Sequence, residues 1–385
     1  MFDNSSDSVK IRVVGVGGAG NNAVNNIINS GNVRNVEYYA INTDKQPLIR
    51  SKAENKIQIG KVVAMGLGAG ADPELGAAAA EENRKEIEEM CEGTHLLFIA
   101  AGMGGGTGTG ASPVIAGIAR EKGCLTVAVV TKPFAFEGDQ RHKNAEDGIE
   151  KLKKVVDMLI IIPNEKLLQT LSSDTTVLSA FGAADEYLKQ GICGIVDLIE
   201  RPSLINLDFA DLRTIIKNQG VAHMGRGRAE GKSDDRVIEA VRKAVFSPFI
   251  ETTIEGAKNV IINLEGGRDL TLKQVNKAVS LIKDAALPGA NIIFGTNINP
   301  DREGFTDVTI IATGFDTPPK ERRFTESDKT SGVTFDFFDK PAVEPDPIRV
   351  QPPRKTEEPV RTQDDASARD PYAPPFVSGR FGDKK

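Results

Sequence analysis

Apolar residues in the first 200 positions alternate between short continuous runs and segments with helical spacing. After the first run, for example, Ala23, Val24 and Ile27 recur at the spacing of one helix face. The pattern predicts strands at Ile11–Val16 and Val36–Ile41, and three continuous apolar runs of strand length follow at Leu96–Ala101, Leu125–Val130 and Met158–Ile162. Runs that are apolar throughout are typical of strands buried on both faces. The pattern therefore predicts an α/β domain with a Rossmann-like parallel sheet and helices on each side.

Helical spacing predicts the elements that surround and follow this sheet. Asp72 followed by Pro73 is typical of a helix start, and one helix is predicted over Glu74–Cys91. A long central helix is predicted over residues 175–200, and a shorter one reaches about Asn218. Beyond it the pattern predicts a smaller α+β domain. Its helices lie near Asp235–Val245 and Leu272–Ala286, and its strands near Val260–Leu264, Ile292–Gly295 and Val308–Thr313.

The composition changes after Asp316. Eleven of the chain's 20 prolines fall in the last 70 residues, among charges of both signs and few aliphatic side chains. Such a segment cannot bury enough apolar surface to offset its ordering entropy, so a disordered tail is predicted. The predicted organisation is a flexible N-terminus (1–9), the parallel-sheet domain (10–174), the central helix with an acidic loop and the next helix (175–220), the α+β domain (221–315), and the tail (316–385).

Charge and cysteine content exclude several classes of function. The formal net charge is −6, whereas a general grip on nucleic acid needs a basic surface, so no nucleic-acid partner is expected. Cys91, Cys124 and Cys193 show no C-x-x-C spacing, which argues against a disulfide framework or a zinc site. The longest apolar stretches are far shorter than the ~18 residues of a membrane span, so no membrane insertion is expected. These features predict a cytoplasmic protein.

Two glycine-rich loops follow predicted strands. The first, Gly15-Val-Gly-Gly-Ala-Gly20, fits G-x-G-x-x-G, a turn that places a diphosphate on a helix N-terminus. Asp44 lies roughly where a dinucleotide-binding enzyme carries its ribose-binding acid. A nicotinamide-dependent oxidoreductase therefore stays open at this point, as does a glycine turn with no ligand.

The second loop spans Gly104-Gly-Gly-Thr-Gly-Thr-Gly110 and also lies between a buried strand and a helix. Parallel strands place both loops on the same edge of the sheet, where open α/β folds bind ligands. Two such turns suit a triphosphate better than a bridging diphosphate, although a glycine-rich linker is the alternative. No lysine follows either loop, so this is not a P-loop. Backbone dipoles and a metal ion would have to neutralise the phosphates.

Four motifs together carry a resemblance to a known family. They are G-V-G-G-A-G-N-N-A-V at 15–24, G-G-G-T-G-T-G at 104–110, T-K-P-F-A-F-E-G at 131–138 and N-L-D-F-A-D at 206–211. From about Lys10 to Phe315 the chain resembles the tubulin/FtsZ family, and in particular its members that act in bacterial cell division. The resemblance implies a protein that binds and hydrolyses GTP and polymerises head to tail into filaments. Such filaments form the cytokinetic ring at the midcell of the bacterium.

The resemblance also implies which residues contact the nucleotide. The GTP or GDP, with Mg²⁺ as expected companion, would lie against the two glycine loops. Ala19 stands where a glycine is common in the family. The implied loop residues are Gly18, Ala19, Gly20, Asn21 and Asn22 in the first loop and Gly104, Gly105, Gly106, Thr107 and Gly108 in the second. The residues identify no metal ligand set directly.

Two pairs four residues apart complete the implied binding site. Glu137 and Arg141 match positions near the ribose and phosphates, although a surface ion pair is the simpler interpretation of their spacing. Phe181 and Asp185 would stack on the base and accept hydrogen bonds from guanine N1–H and N2–H₂. Adenine offers no such donor pair. One core aromatic residue and one solvated acid are the alternative for this second pair.

Asn206, Asp208 and Asp211 correspond to the family's catalytic loop. Acids at a helix start also cap the helix, which is the alternative interpretation of the two aspartates. In the family these residues act on the nucleotide of the next subunit. About twenty residues of helix, on the order of 30 Å, separate them from the predicted base site, so a catalytic role requires a second copy of the chain.

Three functions remain to be compared. The leading hypothesis is the polymerising GTPase, and the oxidoreductase lacks an evident hydride-transfer site. A non-hydrolysing relative is disfavoured because Asn206, Asp208 and Asp211 are all present. The family usually ends in a short peptide of the form D-[IV]-P-x-F-[LI] that binds membrane tethers and division regulators. The nearest stretch, Asp370–Phe376, has altered spacing, so membrane tethers and regulators are still expected as partners, with either weaker binding of the usual tethers or use of a different one.

Overall fold

The computed structural model describes residues 9–31, 35–168, 171–172, 174–200, 208–231, 235–247, 254, 256–299 and 302–315. These residues form one ten-stranded sheet with helices packed against it. The strands are β1 (Ile11–Val16), β2 (Val36–Asn42), β3 (Asn55–Gln58), β4 (Leu96–Gly102), β5 (Leu125–Lys132), β6 (Met158–Pro163), β7 (Gly220–Glu230), β8 (Asn259–Gly266), β9 (Asn291–Ile298) and β10 (Phe305–Thr313).

The helices include one much longer than the rest. They are α1 (Gly17–Ser30), α2 (Lys45–Arg50), α3 (Pro73–Glu82), α4 (Arg84–Cys91), α5 (Thr107–Glu121), α6 (Asp139–Lys153), α7 (Asn164–Leu168), α8 (Val177–Glu200), α9 (Phe209–Ile216), α10 (Arg236–Val245) and α11 (Leu272–Ala285). Within the described ranges, no helix combines the length and apolar character needed to cross a membrane.

Seven strands, in the order β3-β2-β1-β4-β5-β6-β7, pair in parallel. Alternate side chains of these strands enter two separate cores. Val13 and Phe98 pack with α1 and α8 on one face, while Val14 and Ile99 pack with α3, α4, α5 and α6 on the other. Each fully buried aliphatic or aromatic side chain contributes about 1.5–3 kcal/mol. The predicted α/β fold with a parallel sheet covered on both faces is confirmed.

Helix α8 connects the two halves of the sheet. Leu188, Ile192 and Ile195 lie in the same core as strands β5 and β6, and Ile261 of β8 and Ile293 of β9 belong to that core as well. The predicted long central helix is therefore present, and it packs against strands of both halves of the sheet. The boundaries of the predicted domains stay predictions.

The second half of the sheet is antiparallel at its centre. Strand β7 joins β6 through a short parallel pairing, Met158 opposite Gly220, and then runs antiparallel to β10. Helices α10 and α11 cover this half over a third core. The sequence pattern did not predict β7, because glycines occupy positions where apolar residues would show the alternation. A Cβ on Gly227 would lie 1.9 Å from the Ala240 carbonyl oxygen, so glycine is needed where α10 packs on the strand.

Two further elements differ from the sequence expectation. The helix predicted over 74–91 is divided at Asn83 into α3 and α4, and the Asn83 side chain accepts a hydrogen bond from Gly60 N at 2.9 Å. A loop 23 residues away thus stabilises the break. Strand β3 was also not predicted, because its sequence, N-K-I-Q, contains a single apolar residue.

Candidate nucleotide site

Both glycine loops lie at the carboxyl edge of the parallel sheet. Strands β1 and β4 are neighbours, and the strand order reverses between them, which is where open α/β folds bind ligands. Helix α1 begins at Gly17 and helix α5 at Thr107, and neither has an acidic residue in its first turn. Two helix N-termini therefore direct unpaired N–H groups and positive dipole ends to one place. This arrangement favours an anion.

In the first loop, one glycine is needed for helix packing and another is open to a ligand. A Cβ on Gly20 would lie 2.1 Å from the Ala100 carbonyl oxygen, so glycine lets α1 approach β4. Gly18, by contrast, faces open space. The buried Asn21 amide, oriented with Nδ2 toward the loop, donates to the carbonyl oxygens of Gly15 at 2.7 Å and Gly17 at 3.1 Å. Asn21 thus braces the loop from inside.

The second loop is held by hydroxyl groups. The Thr109 hydroxyl turns inward and accepts from Gly104 N at 2.8 Å. The Thr107 hydroxyl lies 2.6 Å from the hydroxyl of Thr43, a residue with no exposed surface. Gly105 faces open space, so its backbone is free to approach a ligand.

A cleft of about 310 Å³ opens between these loops and the start of α8. It brings together ten of the residues predicted to contact the nucleotide. They are Gly18, Ala19, Gly105, Gly106, Thr107, Gly108, Glu137, Arg141, Phe181 and Asp185. The structure does not bring Gly20, Asn21, Asn22 or Gly104 into the lining: the first, second and last are buried, and Asn22 is exposed on α1.

Arg141 is the only cationic side chain in the described lining of the cleft. Its Nη1 donates to Glu137 Oε2 at 2.5 Å, and Glu137 Oε1 accepts from Phe134 N at 3.0 Å. The pair is therefore the i, i+4 ion pair that its spacing indicated, and it also faces the cleft. Glu137 holds the guanidinium at the cleft wall, where it can meet a phosphate.

Phe181 and Asp185 occupy the wall formed by α8. The Phe181 ring meets Phe134 edge to face, with centroids 5.2 Å apart, and Phe136 stacks on Phe134 while remaining 63% exposed. Asp185 is half-buried, and burial raises the pKa of its carboxyl to about 7. A carboxylate at this position gains from a ligand that donates hydrogen bonds to it, because those bonds replace lost solvation.

Sequence reasoning missed Asn164, which also lines the cleft. The side chain is only 4% exposed, and its Oδ1 has no hydrogen-bond partner among the described residues. A buried amide of this kind is stabilised by a ligand that completes its hydrogen bonds. The signal was available: Asn164 directly follows β6, the strand next to β5 on the same carboxyl edge. Thr131 and Pro133 at the end of β5 were missed as well.

Asp208 and Asp211 lie elsewhere. Asp208 caps α9 by accepting from the backbone N of Ala210 at 2.7 Å and of Asp211 at 3.1 Å. The next residue, Phe209, meets the ring of His95, which precedes β4 at the amino edge of the sheet. Strand β4 separates this edge from the cleft by roughly 25 Å at ~3.3 Å per residue. The third residue, Asn206, lies outside the described residues.

Two features bear on the remaining alternatives. Asp44 caps α2, accepting from Gln46 N at 2.8 Å, and does not line the cleft, so the acid that supported a dinucleotide site has a structural role. The described part of the chain contains no cluster of three or more His, Cys, Asp or Glu side chains suited to a metal ion.

Comparison with known proteins agrees with this geometry. Residues 10–172 match the model of the Tubulin/FtsZ family, GTPase domain, and residues 220–316 match that of the FtsZ family, C-terminal domain. An empty FtsZ dimer from M. jannaschii is 41% identical with a TM-score of 0.78, covering 84% of this chain and 95% of that one. A point mutant of FtsZ from M. jannaschii is 43% identical with a TM-score of 0.77, covering 80% and 92%.

The fold and the matched domains define a tubulin-like GTPase. Within that class, the chain belongs to the FtsZ family. The resemblance carried by the four motifs is thereby confirmed. A more distant structure, the GTPγS-bound protofilament of CetZ2 from Haloferax volcanii, is 21% identical with a TM-score of 0.69 and covers 83% of this chain and 96% of that one. It shares the fold.

Proposed function

We propose that this GTPase polymerises head to tail and that each active site is completed by the next subunit. The observation that carries the proposal is the position of two groups on opposite edges of one sheet. The cleft lies at the carboxyl edge, and Asp208 and Asp211 lie at the amino edge. Stacking a second copy on the first brings its acids to the cleft. Because this contact is heterologous, it extends into a filament.

The base occupies the wall formed by α8 in this proposal. The Asp185 carboxylate accepts from guanine N1–H and N2–H₂, and the Asn164 amide, at the carboxyl end of β6, hydrogen-bonds the edge of the base. Adenine would leave the carboxylate without donors, which costs about 1–3 kcal/mol. Phe181 covers the base face. These three side chains explain guanine selectivity without a further motif.

The phosphates occupy the N-termini of α1 and α5. Backbone N–H groups of Gly18, Gly105 and Thr107 bind the phosphate oxygens, with Arg141 as the nearby cation. The donor set fits Mg²⁺ held mainly by phosphate oxygens and water, since hydroxyl groups are present and the described residues form no carboxylate cage. When bound, Mg²⁺ would supply charge neutralisation at the phosphates.

Hydrolysis then depends on the acids of the adjacent copy. The Asp208 and Asp211 carboxylates accept hydrogen bonds from the attacking water and, with Asn206, orient it toward the phosphate. The chain by itself holds them about one strand length from the phosphates. A monomer therefore binds GTP but turns it over slowly.

The cellular role that fits such a filament is the cytokinetic ring at midcell, in the cytoplasm. The M. jannaschii FtsZ structure is described as a dimer, and the CetZ2 structure as a protofilament, so relatives of this chain do self-associate. Membrane tethers and division regulators are proposed to bind the C-terminal peptide around Asp370–Phe376. That peptide lies outside the described residues.

Mixing two inactive variants tests the composite site. Asp185→Ala weakens GTP binding in the cleft but keeps both catalytic acids. Asp208→Asn keeps the cleft and the helix cap but removes one of the acids. The assay uses a GTP concentration at which most clefts of the Asp185→Ala variant hold no nucleotide. Under that condition each variant alone should hydrolyse GTP slowly. Their mixture should recover activity, because one copy supplies the cleft and the other the acid. A mixture no faster than the sum of its parts would overturn the proposal.

A further inference from the structure

Asp157 is a buried acid at the amino edge of the sheet, far from the cleft of its own chain. It directly precedes β6 and is 8% exposed. Its Oδ2 accepts from the backbone N of Thr126 at 2.9 Å and from the Thr126 hydroxyl at 3.0 Å. The carboxylate thus fastens the start of β5 to the start of β6.

The same residue also holds the turn that follows α9. Its Oδ1 accepts from Asn218 N at 3.3 Å, and its carbonyl oxygen accepts from Gln219 N at 2.8 Å and Gly220 N at 3.0 Å. Asn218 and Gly220 have φ values of 56° and 70°. Asn adopts the left-handed region more readily than most residues, and the bond from Asn218 N to Asp157 stabilises that conformation in this turn.

Helix α9 is therefore anchored at both ends. Phe209 meets His95 at its start, with ring centroids 6.3 Å apart, and Asp157 holds the turn after its end. Between these anchors, Leu212, Ile215 and Ile216 are fully buried. The helix has only eight residues, so the two anchors and this buried side fix the direction in which Asp208 and Asp211 point.

We infer that Asp157 is a positioning residue for GTP hydrolysis in the neighbouring subunit. The inference rests on the composite site proposed above. Catalytic groups must be held to within a fraction of an ångström, and a misplacement of about 1 Å costs on the order of a hundredfold in rate. Asp157 touches neither nucleotide nor catalytic acid. It acts on a cleft that belongs to another chain, through the helix that carries the acids.

Asp157→Asn tests this with minimal change in volume. The amide places one N–H₂ group against donors at Thr126 or Asn218, which loosens one anchor of α9. Turnover per subunit should fall between about tenfold and a hundredfold. The GTP dissociation constant should stay within about twofold of wild type, since β6 lies between Asp157 and Asn164 of its own cleft. A loss of GTP affinity, or unchanged turnover, would overturn the inference.

Mixing distinguishes positioning from general damage. Asp157→Asn retains an intact cleft, and Asp185→Ala retains an intact α9, so their mixture should hydrolyse GTP several-fold faster than both alone. The control is the mixture of Asp208→Asn with Asp185→Ala. Recovery in the control but not with Asp157→Asn overturns the inference and leaves the composite site standing. Failure of both mixtures overturns both proposals.

A milder variant guards against loss of the fold. Thr126→Val removes the hydroxyl that donates to Asp157 Oδ2 and accepts from Asp157 N, but it keeps the bond from Thr126 N to Asp157 Oδ2 and the volume of the side chain. Compared with Asp157→Asn, this variant should show a smaller fall in turnover. Its GTP affinity should be unchanged, and its activity should recover when it is mixed with Asp185→Ala. Wild-type turnover in Thr126→Val together with an unfolded Asp157→Asn would overturn the inference, because Asp157 would then serve the fold alone.

Discussion

The ring of Phe209 meets the ring of His95 edge to face at an angle of 75°. His95 is in turn fixed to the first strand, because its Nδ1 accepts from Lys10 N at 3.0 Å. This contact places the start of α9, and with it Asp208, against the amino end of β4. The nucleotide cleft follows the carboxyl end of the same strand.

From this separation we expect hydrolysis to depend on assembly. The rate should rise more steeply than linearly with protein concentration and vanish below an assembly threshold, measured by phosphate release alongside sedimentation. Asp208→Ala and Asp211→Ala should bind GTP, turn it over poorly and inhibit wild-type protein in mixtures. Asp208→Ala also removes a helix cap, which costs roughly 0.5–2 kcal/mol of folding stability. Asp208→Asn keeps the cap, so low turnover in that variant is due to loss of the acid and not to loss of stability. Full activity of an isolated monomer would contradict the composite site.

Base selectivity should depend on Asp185. Replacing it by alanine removes the acceptor for both guanine donors, so the GTP affinity and its margin over ATP should each fall by about 1–3 kcal/mol. Competition binding with labelled GTP measures both values. Glu186 is the next residue on the same helix and does not line the cleft, so Glu186→Ala is a matched control. An unchanged GTP/ATP preference in Asp185→Ala would place the base elsewhere.

GTP binding should also depend on pH through the same side chain. The Asp185 pKa is about 7 in the free protein, and only the ionised form accepts guanine donors, so affinity should fall as the pH drops below 7. Since the phosphates titrate as well, the comparison is with Asp185→Asn, whose profile should lack this component. Identical pH profiles for the two proteins would show that Asp185 is not the titrating group.

The stability of the nucleotide-free protein should respond in the opposite sense. Between the ordinary pKa of 3.8 and about 7, the folded state holds a proton on Asp185 that the unfolded state has lost. This group therefore makes the protein less stable as the pH rises through that window. Asp185→Asn should unfold at a higher denaturant concentration than wild type at pH 8, but not at pH 4. Equal midpoints at both pH values would contradict the raised pKa.

Thr43 should support phosphate binding without touching the nucleotide. A phosphate accepts hydrogen bonds only, so the Thr107 hydroxyl donates to it and the buried Thr43 hydroxyl then donates to Thr107. Thr43→Val removes this donor at constant volume and should weaken GTP binding by about 0.5–1.5 kcal/mol. Thr43→Ser keeps a hydroxyl and should bind GTP as wild type does. Equal losses in both variants would indicate a packing effect.

Removing the residues after Phe315 should leave assembly intact but abolish recruitment of the protein by membrane tethers. The shortened protein should still bind and hydrolyse GTP and assemble, because the cleft and the acids precede residue 315. It should no longer be recruited by membrane tethers, as measured by binding to tether-decorated vesicles. Loss of GTP binding on truncation would contradict a tail that is independent of the site.

Sequence patterns predicted the central features because their chemistry is local. A glycine loop between a buried strand and a helix indicates a phosphate site, and the spacing of Phe181 and Asp185 places both on one helix face. The remaining features depend on contacts distant in sequence. The break at Asn83 depends on Gly60, and the pattern of β7 is obscured by glycines such as Gly227 that the packing of α10 requires. Asn164 follows a predicted strand, but that its oxygen lacks a partner among the described residues is evident only from the structure.

In the proposed filament, the opposite placement of cleft and acids also gives two unlike ends. One terminal subunit presents an open cleft with no neighbour above it, and the other presents α9 to solvent. A filament therefore contains one fewer complete site than it has subunits. Under the proposed composite site, the nucleotide in the exposed cleft stays intact until another subunit arrives, so a subunit added at the cleft end keeps its GTP while those behind it lose theirs. The chemical state of the filament then records the direction in which it grew.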